Sequence, residues 1–342
     1  MQAFFDPQSR RHAPQFFVMR GRVVPHEDAP ERVGRLLAGL GALGLTPKEP
    51  ANVPPGVLAT VHTPRYLEFL STAWDAWQAL PQHGAEVLAN VQPRALGSHY
   101  PDGLVGRAGW HLGDLACPIG PHTAEAALAS ASSAYAAADA ILAGEHAAYA
   151  LCRPPGHHAS AEVAGGHCYI NNAAVAAAHI AEAGRRVAIL DIDVHHGNGT
   201  QAIFYDRADI LTVSVHADPN AFYPWFTGYA DERGVGEGEG ANRNIPLPLG
   251  ADDTQWLNAV DRAIAQALQH APHALVVSAG FDVHADDPLA GFCVTTPAIC
   301  EAGARIAATG FPVAIVQEGG YMSAVLTENL AAFLAPFVER AA

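Results

Sequence analysis

At residues 187–199 the chain reads VAILDIDVHHGNG. The first four residues are apolar and predict a short buried strand, and charged side chains begin where this apolar run ends. Because side chains two positions apart in an extended chain point to the same side, Asp193 and His195 can converge on one ion. A carboxylate and an imidazole at this spacing, directly after a strand, indicate a metal site.

Polar side chains also follow three further apolar runs. They are the tandem histidines His157 and His158 after residues 147–151, the carboxylate Asp282 after residues 276–277, and the phenol Tyr321 after residues 313–316. Ligands of open α/β sheets bind in the crevice beyond the carboxyl ends of the strands, which is where all of these groups would fall. The sequence therefore predicts one site at that edge of a sheet.

Strands and helices alternate along the second half of the chain, which implies a parallel sheet covered by helices on both faces. Helices are predicted at residues 123–144, 173–184 and 252–271, and from Thr296 as N-cap with Pro297 in the first turn. Groups between residues 157 and 321 must meet at one ion. We therefore expect residues 1–342 to form a single α/β domain with a mostly parallel central sheet.

The segment from about residue 80 to residue 122 is rich in Pro, Gly and His and shows neither a helical nor a strand period. Long irregular segments inside a compact domain are usually functional or part of an interface. We expect this one to shape a substrate entrance or to mediate dimerisation. A disordered insertion is the alternative, and Tyr100 and Trp110 argue against it.

Charge and cysteine usage narrow the class of protein. The chain has 19 Lys and Arg against 34 Asp and Glu, a formal net charge of −15, which disfavours nucleic acid and favours cationic partners. No apolar run approaches the ~18 residues of a membrane span, and residues 1–11 do not resemble a secretory signal. Five cysteines without C-x-x-C spacing argue against a disulfide framework or a zinc ribbon, so a cytoplasmic location is expected.

Six sequence blocks occur in the order typical of one known family. They are RPPGHHA at 153–159, GGHCYINNAA at 165–174, DIDVHHGNGT at 191–200, SVHADP at 214–219, SAGFD at 278–282 and QEGGY at 317–321. From about residue 25 to about residue 326 the chain resembles the histone deacetylase and acetylpolyamine amidohydrolase superfamily, whose fold is shared with arginase. Residues 216–219, 222–226 and 228–232, together with Asn198, look most like the bacterial acetylpolyamine amidohydrolases.

Asp193, His195 and Asp282 supply three ligands and leave one position open, which is the pattern of a catalytic rather than a structural zinc site. Fe²⁺ is the alternative metal. Two carboxylates neutralise the charge of the dication, so the ion should acidify its water less than in a three-histidine site. A separate base is therefore required. By resemblance, His158 is the general base and then the general acid, while His157 is an electrostatic partner.

The same resemblance assigns supporting roles to further side chains. It places Asp191 behind His157, and Asn198 behind His158, where many lysine deacetylases carry Asp. It also implies a structural K⁺ site formed by Asp191, Asp193, His195, Ser214 and Val215.

Tyr321 follows a Gly-Gly turn and is predicted to donate its hydroxyl to the oxyanion of the tetrahedral intermediate. By resemblance, Tyr223 on one side and Gly166 with His167 on the other line a tunnel for the acyl chain. His167 departs from the family, in which Phe or Tyr is usual. Asp114 is our candidate for a rim carboxylate that binds substrate cations, with Asp102 and Glu162 as alternatives.

The sequence therefore predicts a homodimeric, zinc-dependent amidohydrolase that removes acetyl groups from acetylated polyamines or similar short acetylated amines. Deacetylation of lysine on proteins or peptides is the main alternative. An arginase-like binuclear manganese hydrolase would need a carboxylate at Gly197. A non-catalytic sensor should have lost one of the site residues, and all of them are present.

Overall fold

The computed structural model describes residues 1–93 and 99–340. Its strands are β1 Gln2–Phe4, β2 Phe16–Met19, β3 Arg22–Pro25, β4 Ala147–Ala150, β5 Val187–Asp191, β6 Ile210–Ala217, β7 Asn242–Leu247, β8 Ala274–Ala279 and β9 Val313–Gln317. The helices are α1 Glu31–Ala42, α2 Pro55–Ala59, α3 Pro64–Gln78, α4 Leu104–His111, α5 Thr123–Leu142, α6 Asn172–Glu182, α7 Asn198–Phe204, α8 Asp253–Gln269, α9 Thr296–Ala308 and α10 Leu326–Arg340.

A seven-stranded sheet in the order β1-β4-β9-β8-β5-β6-β7 forms the centre, and its neighbouring strands are all parallel. β2 and β3 form a separate antiparallel hairpin. Within β5, Ala188 and Leu190 belong to one apolar core and Val187 and Ile189 to the other, so both faces of the strand are buried. The predicted α/β class with helices on both faces is confirmed.

The sheet order explains why the polar groups meet. β4, β9, β8 and β5 are consecutive neighbours, and their carboxyl ends lead respectively to the tandem histidines, to Tyr321, to Asp282 and to the Asp193 loop. Parallel strands end on the same edge, so groups distant in sequence are delivered to one place.

The predicted helix ends agree with the structure to within a few residues. Asp252 caps α8 with a capping box, in which its side chain accepts from the Gln255 N–H. α9 begins one residue earlier than predicted, because its N-cap is Thr295 and Thr296 is already helical. Differences of this size are ordinary at helix ends.

The segment at residues 80–122 is not wholly irregular, because it contains α4. Gly106 and Gly109 weaken the helical pattern of this segment in the sequence. A close backbone contact requires glycine at one of these positions. A Cβ on Gly109 would lie 2.2 Å from the carbonyl oxygen of Val91, so only glycine fits there. Residues 94–98 of the segment lie outside the described part of the chain.

No helix among the described residues is both long and apolar enough to cross a membrane.

Candidate active site

Asp193, His195 and Asp282 meet in a buried cluster beyond the carboxyl ends of β5 and β8. One potential ligand atom from each lies within 4.8 Å of the other two. Nδ1 of His195 is 3.2 Å from Oδ1 of Asp193 and 3.1 Å from Oδ2 of Asp282. Ligands about 2.0–2.1 Å from a tetrahedral ion are about 3.3 Å apart, so these separations match the edges of one coordination tetrahedron.

The electrostatics of this cluster favour a positive charge. Burial alone would lower the pKa of His195, but its hydrogen bonds to Asp193 and Asp282 raise it to about 9. Burial, together with the nearby charge of Asp193, raises the pKa of Asp282 to about 7. Two buried carboxylates that repel each other are stabilised by a cation between them.

Glycines allow the chain to pass close to these carboxylates. A Cβ on Gly280 would lie 2.1 Å from Oδ2 of Asp193, and one on Gly319 would lie 2.2 Å from Oδ2 of Asp282. At Gly197, a Cβ would lie 2.2 Å from Oδ2 of Asp191. The position that an arginase-like second metal would need for a carboxylate therefore has no room for a side chain.

His157 and His158 lie side by side, with ring centroids 4.0 Å apart. Nδ1 of His157 is 2.9 Å from Oδ2 of Asp191, and Nδ1 of His158 is 2.7 Å from Oδ1 of Asn198. The structure thus places Asp191 and Asn198 behind the two histidines as the sequence predicts.

The two histidines have opposite proton affinities. Burial acts against charge on His157, but the carboxylates of Asp193 and Asp191 outweigh it and raise its pKa well above the usual value. The pKa of His158 is held well below the usual value by burial and by the charges of His157 and His195. His157 is therefore the charged member of the pair and His158 the neutral one.

Tyr321 lies at the start of the loop after β9 and is only 4% exposed. Its backbone N–H donates to Oδ2 of Asp287 at 2.7 Å. The Arg32 guanidinium lies 4.9 Å from the centre of the Tyr321 ring, and its Nε donates to the carbonyl of Gly320 at 2.7 Å. Burial, followed by the charge of Asp282, raises the pKa of the phenol well above its usual value, so the hydroxyl keeps its proton.

Tyr223 and Gly166, which are predicted to form the tunnel walls, flank His158. The Tyr223 ring is 4.9 Å from that of His158, in an edge-on arrangement. A Cβ on Gly166 would lie 2.3 Å from the His158 ring, which explains why glycine occupies this side. Phe222, which the sequence did not single out, stacks on His195 at 4.9 Å.

Asp114 lies beside both walls, but its contacts differ from those of a free rim carboxylate. Its Oδ2 accepts hydrogen bonds from the Tyr223 hydroxyl at 2.6 Å and from the Gly166 N–H at 2.8 Å. Its Oδ1 accepts from the Ala116 N–H at 2.8 Å. The carboxylate joins the two walls, because acidic oxygens are the natural acceptors for three such donors.

The two alternative rim carboxylates, Glu162 and Asp102, lie in different surroundings. Glu162 forms a two-pronged ion pair with Arg65, whose hydrogen bonds lower the pKa of the carboxyl. Asp102 is exposed just before α4. Among the described residues, neither of them contacts the buried cluster of Asp193, His195 and Asp282 by a hydrogen bond or ion pair.

The residues predicted to hold a monovalent cation lie partly around a small cavity. Asp191 and Ser214 are paired across β5 and β6, and both line a small cavity of about 10 Å³. Asp193, His195 and Val215 do not line it. The Ser214 hydroxyl is 2.8 Å from Nδ1 of His216.

Sequence reasoning missed the buried charges that support Tyr321 and His157. Arg32 and Arg153 both donate to Oδ1 of Asp28, and all three side chains are fully buried. Glu318 accepts the backbone N–H groups of Gly156 at 2.7 Å and His157 at 3.1 Å through Oε2. A buried acid beside Gly-Gly, as in QEGGY, is a signal that could have identified Glu318.

Comparison with known proteins agrees with this geometry. The histone deacetylase domain family matches residues 26–337. An acetylpolyamine amidohydrolase from Burkholderia pseudomallei is 45% identical over 341 residues, which cover 98% of each sequence. Acetylpolyamine amidohydrolase 1 from Pseudomonas aeruginosa is 40% identical over 328 residues, which cover 94% of each sequence. The crystal structure of acetylpolyamine aminohydrolase from Burkholderia pseudomallei is similar to this chain with a TM-score of 0.95 and 45% identity, covering 98% of both chains.

Proposed function

This chain belongs to the histone deacetylase family and is a deacetylase-class hydrolase, and we propose that its substrates are acetylated polyamines or similar short acetylated amines. The observation that carries the hydrolase function is the convergence of Asp193, His195 and Asp282 next to His157 and His158, and the substrate class rests on the relatives. The relatives that match nearly the whole chain bear the name acetylpolyamine amidohydrolase.

We propose Zn²⁺ as the metal of the Asp193, His195 and Asp282 cluster, with Fe²⁺ as the alternative. One nitrogen and two carboxylate oxygens suit Zn²⁺, and three protein ligands leave room for water and substrate. When bound, such an ion would polarise the amide carbonyl and favour deprotonation of water. The two carboxylates offset its charge, so proton transfer depends on a protein base.

His158 fits the role of that base. The side-chain oxygen of Asn198 can only accept, so Nδ1 of His158 carries the proton and Nε2 keeps its lone pair. Nε2 would take a proton from the attacking water and later give it to the leaving amine. His157, held charged by Asp191 and Asp193, stabilises the negative charge that develops nearby.

Tyr321 fits the role of oxyanion donor. Its hydroxyl is protonated, and Asp287 and Arg32 hold the Gly320–Tyr321 peptide unit, at the Tyr321 N–H and the Gly320 carbonyl respectively. A preorganised O–H donor aimed at the carbonyl oxygen stabilises the tetrahedral intermediate more than the planar substrate.

We further propose that a K⁺ ion binds near Asp191 and Ser214. We also propose that the protein works in the reducing cytoplasm and does not bind nucleic acid. The cavity of about 10 Å³ is close to the size of one water or ion, and Asp191 and Ser214 are among its lining residues. All five cysteines are free thiols, which suits a cytoplasmic protein. Raising KCl at constant ionic strength, with choline as the control cation, should raise the midpoint of thermal unfolding.

A homodimer is proposed through the segment at residues 80–122. Val91 is 72% exposed and Val105 38% exposed within this segment, and Val23 on the adjoining hairpin is 69% exposed. The Val18 N–H of the hairpin donates to the Leu115 carbonyl of the segment, so the hairpin and the segment are neighbours. Light scattering of the protein should give the mass of two chains, and Val91→Asp with Val105→Asp should give one.

A kinetic panel tests the substrate proposal. We expect metal-loaded enzyme to cleave N-acetylputrescine and N-acetylcadaverine with higher kcat/KM than an acetyl-lysine peptide. Higher kcat/KM for the peptide would replace this proposal with a lysine deacetylase. No cleavage of any acetylated amine by protein with one bound metal per chain would overturn the amidohydrolase function itself.

A further inference from the structure

His167 occupies an unusual backbone position opposite Tyr321. Gly165 and Cys168 exchange two backbone hydrogen bonds, of 3.1 and 2.8 Å, around Gly166 and His167. Both turn residues have positive φ, 50° for Gly166 and 71° for His167. This is the two-residue hairpin turn that normally selects Gly, Asn or Asp, and a side chain as large as that of histidine is uncommon here.

The turn directs the imidazole at the phenol of Tyr321. Nδ1 of His167 lies 3.1 Å from the Tyr321 hydroxyl oxygen, and the rings are perpendicular with centroids 5.5 Å apart. Among the described side chains, His167 is the one hydrogen-bond partner of that hydroxyl. The His167 N–H also donates to the Ala116 carbonyl at 3.1 Å, which fixes the turn itself.

Neighbouring rings hold the imidazole in place. His26 is tilted against it at 4.2 Å, and Phe17 meets it edge-on at 5.4 Å. His26 is itself fixed, because its Nδ1 accepts the Asp28 N–H and its Nε2 faces the Ala116 carbonyl, each at 3.2 Å. The His167 ring is 4% exposed and has little freedom to turn away from Tyr321.

We propose that His167 is a positioning residue for Tyr321, with its Nδ1–H donating to the phenol oxygen so that the hydroxyl proton points into the active site. This inference rests on the proposed deacetylase function, in which that proton is donated to the substrate carbonyl oxygen. A hydrogen bond received by the phenol oxygen polarises its O–H and strengthens the bond that it donates. A phenylalanine would fill a similar volume but could not supply this nitrogen.

Two substitutions separate hydrogen bonding from shape. Asn tolerates the left-handed conformation, and its side-chain amide can place an N–H near the position of Nδ1. We therefore expect His167→Asn to keep kcat within about threefold of wild type. His167→Phe should lower kcat about tenfold or more with KM within about twofold, because the lost interaction acts in the transition state.

A double-mutant cycle with Tyr321→Phe tests whether the effect passes through the phenol. In the Tyr321→Phe background, His167→Phe should change kcat less than about twofold, because the hydroxyl that it positions is already absent. Thermal unfolding midpoints of all variants report whether each one folds. Titration with a fluorescently labelled acetyl-amine analogue measures substrate binding separately from turnover.

The outcomes distinguish failure of the proposed deacetylase function from failure of the positioning role of His167. If wild type is inactive on every acetylated amine, the proposed function fails. If wild type is active and folded His167→Phe keeps more than about half of its kcat, the positioning role fails while the deacetylase function stands. An equal loss from His167→Phe with and without the Tyr321 hydroxyl would also overturn the positioning role.

Discussion

The side-chain oxygen of Asn198 lies 2.7 Å from Nδ1 of His158, whereas the carboxylate of Asp191 lies 2.9 Å from Nδ1 of His157. The two neighbouring histidines thus have backing groups of different charge. An amide leaves an imidazole less basic than a carboxylate does, because it adds no negative charge. Burial and the charges of His157 and His195 hold the pKa of His158 well below its usual value, and the amide adds no negative charge to oppose them.

Asn198→Asp should raise the pKa of His158, and the acidic limb of the pH profile of kcat/KM should move to higher pH by about one unit. The sign follows from the role of His158, since a base must be unprotonated and a higher pKa requires a higher pH. Steady-state kinetics from pH 5.5 to pH 9 measure this limb. Asn198→Ala is the control without added charge, and an unchanged limb in Asn198→Asp would remove His158 as the base.

Asp193→Ala, His195→Ala and Asp282→Ala should each abolish tight metal binding together with activity. Three ligands leave no redundancy, and each side chain is buried with its ligand atom facing the other two. Elemental analysis after desalting measures the bound metal per chain. Full occupancy in any one variant would exclude that residue as a ligand, and Asp261→Ala on the exposed face of α8 is the control.

Tyr321→Phe should retain the metal and near-normal KM but lose kcat about 100-fold or more. The phenol is needed mainly in the transition state, and the remaining ring still packs under the Arg32 guanidinium. Metal analysis and steady-state kinetics on the same preparation separate the two effects. More than about a third of wild-type kcat would show that the hydroxyl is not the oxyanion donor.

The central sheet could be predicted from the sequence because its strands are buried on both faces. Residues 187–190 form a continuous apolar run that is followed by the acidic residue Asp191. Similar apolar runs in the neighbouring strands indicate the edge of the sheet at which the polar side chains meet. The helix α4 could not be predicted, since Gly106 and Gly109 weaken its pattern and only the approach of the Val91 carbonyl explains Gly109.

The long-range hydrogen bonds of the buried arginines left no local pattern in the sequence. Arg32 and Gly320 are separated by 288 positions, and Arg153 and Asp28 by 125. Each pair forms only when the sheet brings the N-terminal segment under the loops after β4 and β9. The orientation of His167 was likewise hidden, because its positive φ follows from the hydrogen bonds between Gly165 and Cys168.

His62 should make stability fall as the pH falls below 6.5. Its Nε2 accepts the Asn171 N–H at 2.9 Å, and burial lowers its pKa to about 4, against opposing hydrogen bonds to the backbone. A folded pKa below the unfolded value means that the unfolded chain binds more protons, so the contribution is complete above pH 6.5 and is lost towards pH 4. The largest loss is about 3 kcal/mol.

His62→Gln keeps an acceptor for the Asn171 N–H but does not titrate. Urea unfolding between pH 4.5 and pH 7.5 should therefore show a shallower decline in the free energy of unfolding for this variant than for wild type. His83→Gln, at an exposed position, is the matched control. Parallel curves for wild type and His62→Gln would show that His62 is not responsible for the acid sensitivity.

Asp114→Asn should weaken cleavage of charged and neutral substrates alike. The sequence predicts a rim carboxylate that binds ammonium groups, but the structure shows that Asp114 accepts from Tyr223, Gly166 and Ala116. An amide keeps only one acceptor oxygen and brings two N–H donors towards groups that also donate, so the two tunnel walls lose part of their connection. We expect kcat/KM to fall about tenfold for both N-acetylputrescine and a neutral acetamide of the same length, which corresponds to about 1.4 kcal/mol. A fall confined to the cationic substrate would restore Asp114 as the group that recognises its charge.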